Sequence, residues 1–316
     1  MDRNIALFAV AASPNEGFLG QIAALYTSII AQPWERYRPV LRVCFGGQIP
    51  ADLAQRWAGL LSKIEYVCIS PERLTPDHLT QVIERFYVIP PLTKVAVFCD
   101  ADVLVTGPLE DMFDRIGPEA DIAGCLAHFP PPGRGKKSAN FWQTHYRRFC
   151  ASCFPDRDAP ALEKSFAYSG PPFDAAPAYY NYGFVVMHPD ASERIREDFV
   201  TAFTYARDVI NSRYFSAQVG LTLSLTVNGL RAVDLGMSYN MPNDRMGQAH
   251  LEKGNPPHVI HYLREKAFKR SVLFATRQAV QEFVTTPRTH VDEVLRAHLE
   301  TLIRDHELLE LLPEAD

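Results

Sequence analysis

The chain contains the stretch Lys94-Val-Ala-Val-Phe-Cys-Asp100-Ala-Asp102-Val-Leu-Val-Thr-Gly107, an apolar run followed by two carboxylates. Its β-branched and aromatic residues predict a strand buried on both faces of a mostly parallel sheet. Because side chains at i and i+2 of an extended chain point the same way, Asp100 and Asp102 can approach one cation together. They lie where the strand leaves the sheet, which is the edge at which open α/β sheets bind ligands. The stretch therefore predicts a divalent-metal site that holds a phosphorylated ligand.

The two aspartates also allow other interpretations. An Asp that follows a strand can simply cap a turn or a helix, and Thr106-Gly-Pro-Leu-Glu-Asp111 has the pattern of a turn followed by a helix. A phosphatase of the haloacid dehalogenase type also has a strand ending in Asp-x-Asp, with the first Asp as nucleophile, but Leu104 stands where that pattern continues with Thr. A calcium loop is excluded, because it needs Gly sixth and Glu twelfth, where this chain has Val105 and Asp111.

Composition narrows the class of protein. With 316 residues, 47% of them hydrophobic, the chain can bury a large core, and its net charge of -5 gives no basic field for nucleic acid. Six cysteines, mostly inside apolar runs, predict reduced thiols in a cytoplasmic protein. The run from Ile5 to Ser13 is short for a signal peptide and is read as a buried strand, and no later run is long enough to cross a membrane. We expect a cytoplasmic protein without a transmembrane segment, and a peripheral association with a membrane stays open.

Strand and helix patterns alternate up to Asp100, which predicts a doubly wound, nucleotide-binding layout. The chain has no G-x-G-x-x-G and no phosphate-loop motif. A phosphate therefore has to be bound by something other than a glycine-rich turn, which favours a metal ion. The predicted strands of this half are 5–12, 40–45 and 64–69, and the predicted helices are 18–30, 52–61 and 76–87.

The residue composition changes at 128–178, which is rich in proline, glycine, basic and aromatic residues. We expect an inserted loop region that folds over the site or receives the acceptor; a solvated variable loop and a satellite aromatic core are the alternatives. A strand is predicted at 178–187, where Gly183 indicates the close approach of a ligand or of another backbone. His261 closes a short apolar run and is a candidate nitrogen ligand. The other predicted elements are a strand at 230–234 and helices at 192–207, 216–227 and 286–312.

Three motifs occur in a fixed order: Asp-Ala-Asp-Val-Leu-Val from Asp100, Asn-Tyr-Gly from Asn181, and Val-Ile-His-Tyr-Leu around His261. With them, the chain resembles the retaining nucleotide-sugar glycosyltransferases of the glycogenin and bacterial lipopolysaccharide galactosyltransferase family (family 8 type), over roughly 5–269. The resemblance implies a single α/β domain of the GT-A type over 1–270. Its central sheet would be mixed, mostly parallel and flanked by helices, and 271–316 would form a C-terminal helical extension.

The resemblance also implies a ligand set, in which Asp100, Asp102 and His261 bind Mn²⁺ or Mg²⁺. Two carboxylates and an imidazole suit Mn²⁺ better than Ca²⁺ or Mg²⁺. The metal would bridge the diphosphate of a UDP-sugar and neutralise the charge that builds on the leaving phosphate. The other implied donor contacts are Ala12, Asn15 and Phe18 at the base, Ala101 between the aspartates, Arg85 and Lys266 at the phosphates, and Asn181 and Gln218 at the sugar.

The implied activity is transfer of a sugar from a UDP-sugar to a carbohydrate, lipid-linked or protein acceptor, with retention of the anomeric configuration and with Asp100, Asp102 and Gln218 as the catalytic set. One departure is Ala217, which stands where the family usually has Asp. This departure favours one alternative, a non-catalytic nucleotide-sugar-binding protein. The phosphatase above is the other alternative. The sequence indicates no oligomeric state.

Overall fold

The computed structural model describes residues 3–70, 89–127, 139–163, 166, 174–212, 215–264, 268–286 and 290–314. The predicted alternation of strand and helix is confirmed in the described part of the first half. Helix α1 begins after Asn15, whose side-chain oxygen accepts a hydrogen bond from the Phe18 N–H at 3.1 Å. The predicted helix at 76–87 lies outside the described residues. The elements of this half are β1 (Asn4–Ala12), α1 (Glu16–Ile30), β2 (Tyr37–Gly46), α2 (Ala51–Arg56), α3 (Ala58–Leu61), β3 (Glu65–Ile69) and β4 (Thr93–Cys99).

Seven strands form the main sheet, in the order β3-β2-β1-β4-β7-β6-β8 among the described residues. The later three are β6 (Ile122–Leu126), β7 (Tyr180–Met187) and β8 (Ala232–Asp234). Strand β7 pairs antiparallel with β4 and β6, whereas the other pairings are parallel, so the sheet is mixed and mostly parallel as predicted. Because β7 runs against the rest, it begins at the edge where the other strands end. Asn181 and Gly183 therefore lie at the edge where open α/β sheets bind their ligands.

A second, three-stranded sheet covers this edge and consists of β5 (Val103–Val105), β9 (Met241–Pro242) and β10 (Val259–His261). Strand β10 is antiparallel to β5 and parallel to β9, and its register sets His261 opposite Val103. The pairing brings His261 of the third sequence motif beside Val103, the residue that follows Asp102.

The region predicted as an inserted loop contains a regular helix, α5 (Phe141–Cys153). The expectation of irregular chain is therefore wrong for these residues. Trp142, Tyr146 and Phe149 recur at helical spacing and bury their rings in a satellite core with residues of α6 (Pro189–Asp208) and α7 (Ser216–Val227). The proline- and glycine-rich flanks hid this periodicity in the sequence.

The C-terminal helices pack into the main core rather than away from it. A short helix, α9 (Arg270–Leu273), lies directly on α1, since a Cβ atom at Gly20 would come within 2.0 Å of the backbone oxygen of Phe274. Phe274 and Leu299 are fully buried in the same cluster as the residues of β1 and α1. The remaining α-helices among the described residues are α4 (Glu110–Phe113), α8 (Arg245–Leu251), α10 (Arg277–Thr285) and α11 (His290–Asp305). Within the described ranges, none of the helices has the length and hydropathy that a bilayer crossing requires.

Candidate metal and donor site

The loop Asp100-Ala-Asp102 joins β4 of the main sheet to β5 of the small sheet and is tied to both. The Asp100 N–H donates to the Gly183 carbonyl of β7 at 3.0 Å, and the Tyr262 N–H donates to the Asp102 carbonyl at 3.0 Å. The Tyr262 hydroxyl donates to the Ala101 carbonyl at 3.4 Å, and Ala101 itself is buried. The backbone of the loop is therefore fixed, and its two carboxylates are held at the end of β4.

The structure brings Asp100, Asp102 and His261 together. The His261 Nε2 atom lies 3.3 Å from Asp102 Oδ1 and 3.8 Å from Asp100 Oδ2, and one ligand atom from each residue lies within 4.8 Å of the others. The side chains of Asp102 and His261 are 7% exposed and that of Asp100 is 34% exposed. The cluster is thus closed at its base and open to solvent on the Asp100 side.

The orientation of the His261 ring is set by Asn240, which is buried. The Asn240 Oδ1 atom lies 3.0 Å from His261 Nδ1, and the Asn240 amide donates to the Asn181 carbonyl at 3.4 Å. Since an amide oxygen can only accept, Nδ1 carries a proton that it donates to Asn240, and Nε2 faces the two carboxylates. This is the arrangement in which an outer hydrogen bond orients a metal-binding imidazole.

Charge in the cluster shifts two pKa values. Burial would raise the pKa of Asp102, but the charge and hydrogen bond of His261, followed by those of Arg270, outweigh it and leave this pKa well below its usual range. Burial would lower the pKa of His261, but the carboxylate of Asp102 and then that of Asp100 reverse the effect and raise it. The position between the two aspartates therefore favours positive charge.

The donor set fits a divalent cation of intermediate hardness. It offers two carboxylate oxygens and one imidazole nitrogen, the contact at Nδ1 turns Nε2 toward the carboxylates, and its open side leaves room for a ligand's oxygens. Ca²⁺ and Mg²⁺ prefer sites made only of oxygen ligands, whereas this cluster includes an imidazole nitrogen. The residues present therefore suit Mn²⁺, and their role as its ligands stays a prediction.

Gln218 lies near the start of β7, in the first turn of α7, and does not belong to the carboxylate cluster. Its Oε1 atom accepts a hydrogen bond from the Tyr179 hydroxyl at 2.7 Å, and Tyr179 is buried. Ala217 is partly buried against an apolar cluster. The Asn181 side chain accepts from the Gly183 N–H at 3.1 Å, so its oxygen is used within β7 itself. Contact of Asn181 or Gln218 with a sugar stays a prediction.

The first loop follows β1, whose carboxyl end neighbours that of β4. Ala12 is buried, Phe18 is partly buried against the main core, and Asn15 caps α1. The contact of these three residues with a nucleobase stays a prediction. The predicted phosphate ligands Arg85 and Lys266 lie outside the described residues.

Two residues at the site were missed by the sequence analysis. Arg270 forms an ion pair with Asp102, and Asn240 orients His261. Neither belongs to a motif, and neither follows a periodic pattern. A basic residue downstream of His261 was expected only as Lys266.

The chain has the GT-A fold, which is shown by its likeness to a solved glycosyltransferase structure. The chain is similar to the galactosyltransferase LgtC in complex with donor and acceptor sugar analogues, at 14% identity and a TM-score of 0.52, covering 92% of this chain and 99% of that chain. An active-site Gln-to-Glu variant of LgtC gives 14% identity and the same TM-score, with 89% and 98% covered. Mouse xyloside xylosyltransferase 1 follows at 11% identity and a TM-score of 0.49, with 82% and 98% covered. No protein-family pattern and no curated protein matches the sequence.

Proposed function

We propose that the protein is a metal-dependent glycosyltransferase that moves a sugar from a UDP-sugar donor to an acceptor with retention of the anomeric configuration. The observation that carries the proposal is the cluster of Asp100, Asp102 and His261 at the ligand edge of a GT-A fold. The likeness to LgtC, crystallised with donor and acceptor sugar analogues, supports the same reading.

The roles follow from what each side chain can offer. Asp100, Asp102 and His261 would hold Mn²⁺ or Mg²⁺, which when bound neutralises charge on a leaving diphosphate. Gln218 and Asn181 have amides that can hydrogen-bond sugar hydroxyls. The first loop (Ala12, Asn15, Phe18) would hold the base, Ala101 would lie against the donor, and Arg85 and Lys266 would contact its phosphates. No protein general base is assigned.

The proposal also includes the domain division, the location and the acceptor class. We keep the division into a transferase domain (1–270) and a helical extension (271–316), with the extension packed into the same core. The six cysteines, all within the described residues, form no disulfide, which supports the proposed cytoplasmic location. The acceptor is a carbohydrate, a lipid-linked group or a protein.

Two alternatives make different predictions. A non-catalytic nucleotide-sugar-binding protein is favoured by Ala217, and it would bind the donor without hydrolysis or transfer. A dehalogenase-type phosphatase would release phosphate with Mg²⁺ and form an aspartyl-phosphate on Asp100. The likeness to LgtC gives this second alternative no support.

The test is UDP release from a panel of UDP-sugars, with and without Mn²⁺. We expect release from at least one donor that depends on the metal. No turnover together with no metal-dependent UDP binding would remove the proposal, and UDP binding without turnover would favour the binding protein.

Variants of Asp102 and His261 test whether UDP release and Mn²⁺ binding depend on the carboxylate–imidazole cluster. Asp102→Asn should abolish UDP release while the protein stays folded, and His261→Ala should weaken Mn²⁺ binding. Asp111→Asn is the matched control, because its carboxylate on α4 is almost fully exposed. An unfolded Asp102→Asn protein would favour a structural role for Asp102 in its ion pair with Arg270. An unchanged Mn²⁺ titration for His261→Ala would show that His261 is not a ligand.

A further inference from the structure

The two oxygens of the Asp102 carboxylate have different partners. Oδ1 faces His261 Nε2 at 3.3 Å, whereas Oδ2 forms an ion pair with Arg270 Nη1. The Asp102 side chain is 7% exposed and the Arg270 side chain 35%. A guanidinium that reaches a buried carboxylate from the protein surface offsets the cost of burying its charge and fixes the direction of its oxygens.

Arg270 is held in place by the packing of α9, of which it is the first residue. Helix α9 lies against two glycines of α1: a Cβ atom at Gly17 would come within 3.0 Å of the Ser271 Cα atom, and one at Gly20 within 2.0 Å of the Phe274 oxygen. Helix α1 itself follows the first loop and begins after Asn15. The guanidinium is thus positioned by the packing of α9 on α1, the helix that follows the first loop.

We propose that Arg270 is a positioning residue for the cation centre: it holds Asp102 through Oδ2, so that Asp102 offers a cation Oδ1 alone, and it adds a positive charge that favours an anionic ligand on that cation. The inference rests on the proposed function. It assigns to Arg270 a role that is separate from those of the three cation ligands.

The charges around the cation decide whether Arg270 favours the cation alone or the cation with an anionic ligand. Asp100 and Asp102 together balance the charge of a divalent cation, and the guanidinium of Arg270 adds a positive charge beside it. Like charges repel, and Arg270 therefore opposes binding of the cation alone. A diphosphate that completes the coordination of the cation gains from the same charge. Arg270 should thus weaken Mn²⁺ binding and strengthen UDP binding.

The test measures both affinities by calorimetry on the full chain: Mn²⁺ alone, and UDP at saturating Mn²⁺. Arg270→Gln removes the charge and leaves a shorter polar side chain, and Arg270→Lys keeps the charge without the planar fork. Arg304→Gln is the matched control, because it removes one charge from an exposed pair with Asp305 on α11.

We expect Arg270→Gln to bind Mn²⁺ at least as tightly as the unaltered protein and to bind UDP at least about tenfold more weakly, with Arg270→Lys in between. A variant that is merely damaged would lose both affinities together, and that outcome would overturn the inference. The inference alone also fails if the unaltered protein binds UDP with Mn²⁺ and Arg270→Gln matches Arg304→Gln in both titrations. If the unaltered protein shows no Mn²⁺-dependent UDP binding, the proposed function falls and the inference falls with it.

Discussion

The backbone of Gly183 lies directly against the imidazole ring of His261. A Cβ atom at Gly183 would come within 2.2 Å of the His261 Cε1 atom and 2.4 Å of Nδ1. These distances are far below any tolerated contact, so only glycine lets the ring of β10 approach β7. The close approach predicted at this glycine is real, but its partner is a side chain rather than a ligand or another backbone.

Gly183→Ala should therefore displace His261 from the two aspartates. We expect Mn²⁺ affinity to fall at least about tenfold, with a loss of unfolding free energy of about 1–3 kcal/mol from the overpacked site. A Mn²⁺ titration and a urea unfolding curve measure the two effects. Gly59→Ala is the control, since nothing lies within 4 Å of a Cβ atom there. Normal Mn²⁺ affinity in folded Gly183→Ala protein would contradict the role of His261 as a ligand.

Asn240 should be needed for the tautomer of His261. Asn240→Ala removes the acceptor from Nδ1, so the proton can move to Nε2 and the ring can turn. Loss of such an outer partner typically costs about 10- to 100-fold in metal affinity. Asn240→Asp keeps an acceptor at the same place and should retain most of the affinity. ¹⁵N shifts of the His261 ring report the tautomer directly, and identical shifts in Asn240→Ala and the unaltered protein would speak against this role.

His298 of α11 should make stability depend on pH. Burial lowers the pKa of His298 to about 4 from its ordinary 6.5; a backbone hydrogen bond with Val105 opposes this shift, and the charge of His306 adds to it. Its Nε2 atom is shielded and has no hydrogen-bond partner among the described residues. Between these two pKa values the unfolded chain binds more protons than the folded one, so stability falls as the pH falls below about 6.5.

The full effect of His298 is at most about 3 kcal/mol of unfolding free energy, reached near pH 4. His298→Gln should flatten that part of the pH dependence, as measured by urea unfolding between about pH 7 and pH 4. If the variant and the unaltered protein lose stability in parallel over this range, another group is responsible.

The metal-site candidates could be found from the sequence because local patterns mark them. Asp100 and Asp102 end an apolar strand two residues apart, and His261 ends another apolar run. The partners Asn240 and Arg270 could not be found in this way. Asn240 reaches His261 only through the fold around the small sheet, and Arg270 reaches Asp102 only because glycines of α1 let α9 pack closely. Such contacts depend on the packing of segments distant in sequence, which no spacing encodes.

The hydrogen bond between Tyr179 and Gln218 provides the sharpest test of a role for Gln218. Because the Tyr179 hydroxyl donates to Oε1, the Gln218 amide is fixed with its NH₂ group free to donate to a ligand oxygen. If Gln218 contacts the donor sugar, Tyr179→Phe should lower kcat/KM for UDP-sugar turnover by about tenfold, since the amide loses its orientation. Gln218→Ala should cost more. The double variant should then be no worse than Gln218→Ala alone, because Tyr179 acts only through Gln218. Additive losses in this cycle would show that Tyr179 supports the structure by another route, and normal turnover in Gln218→Ala would remove Gln218 from the donor site.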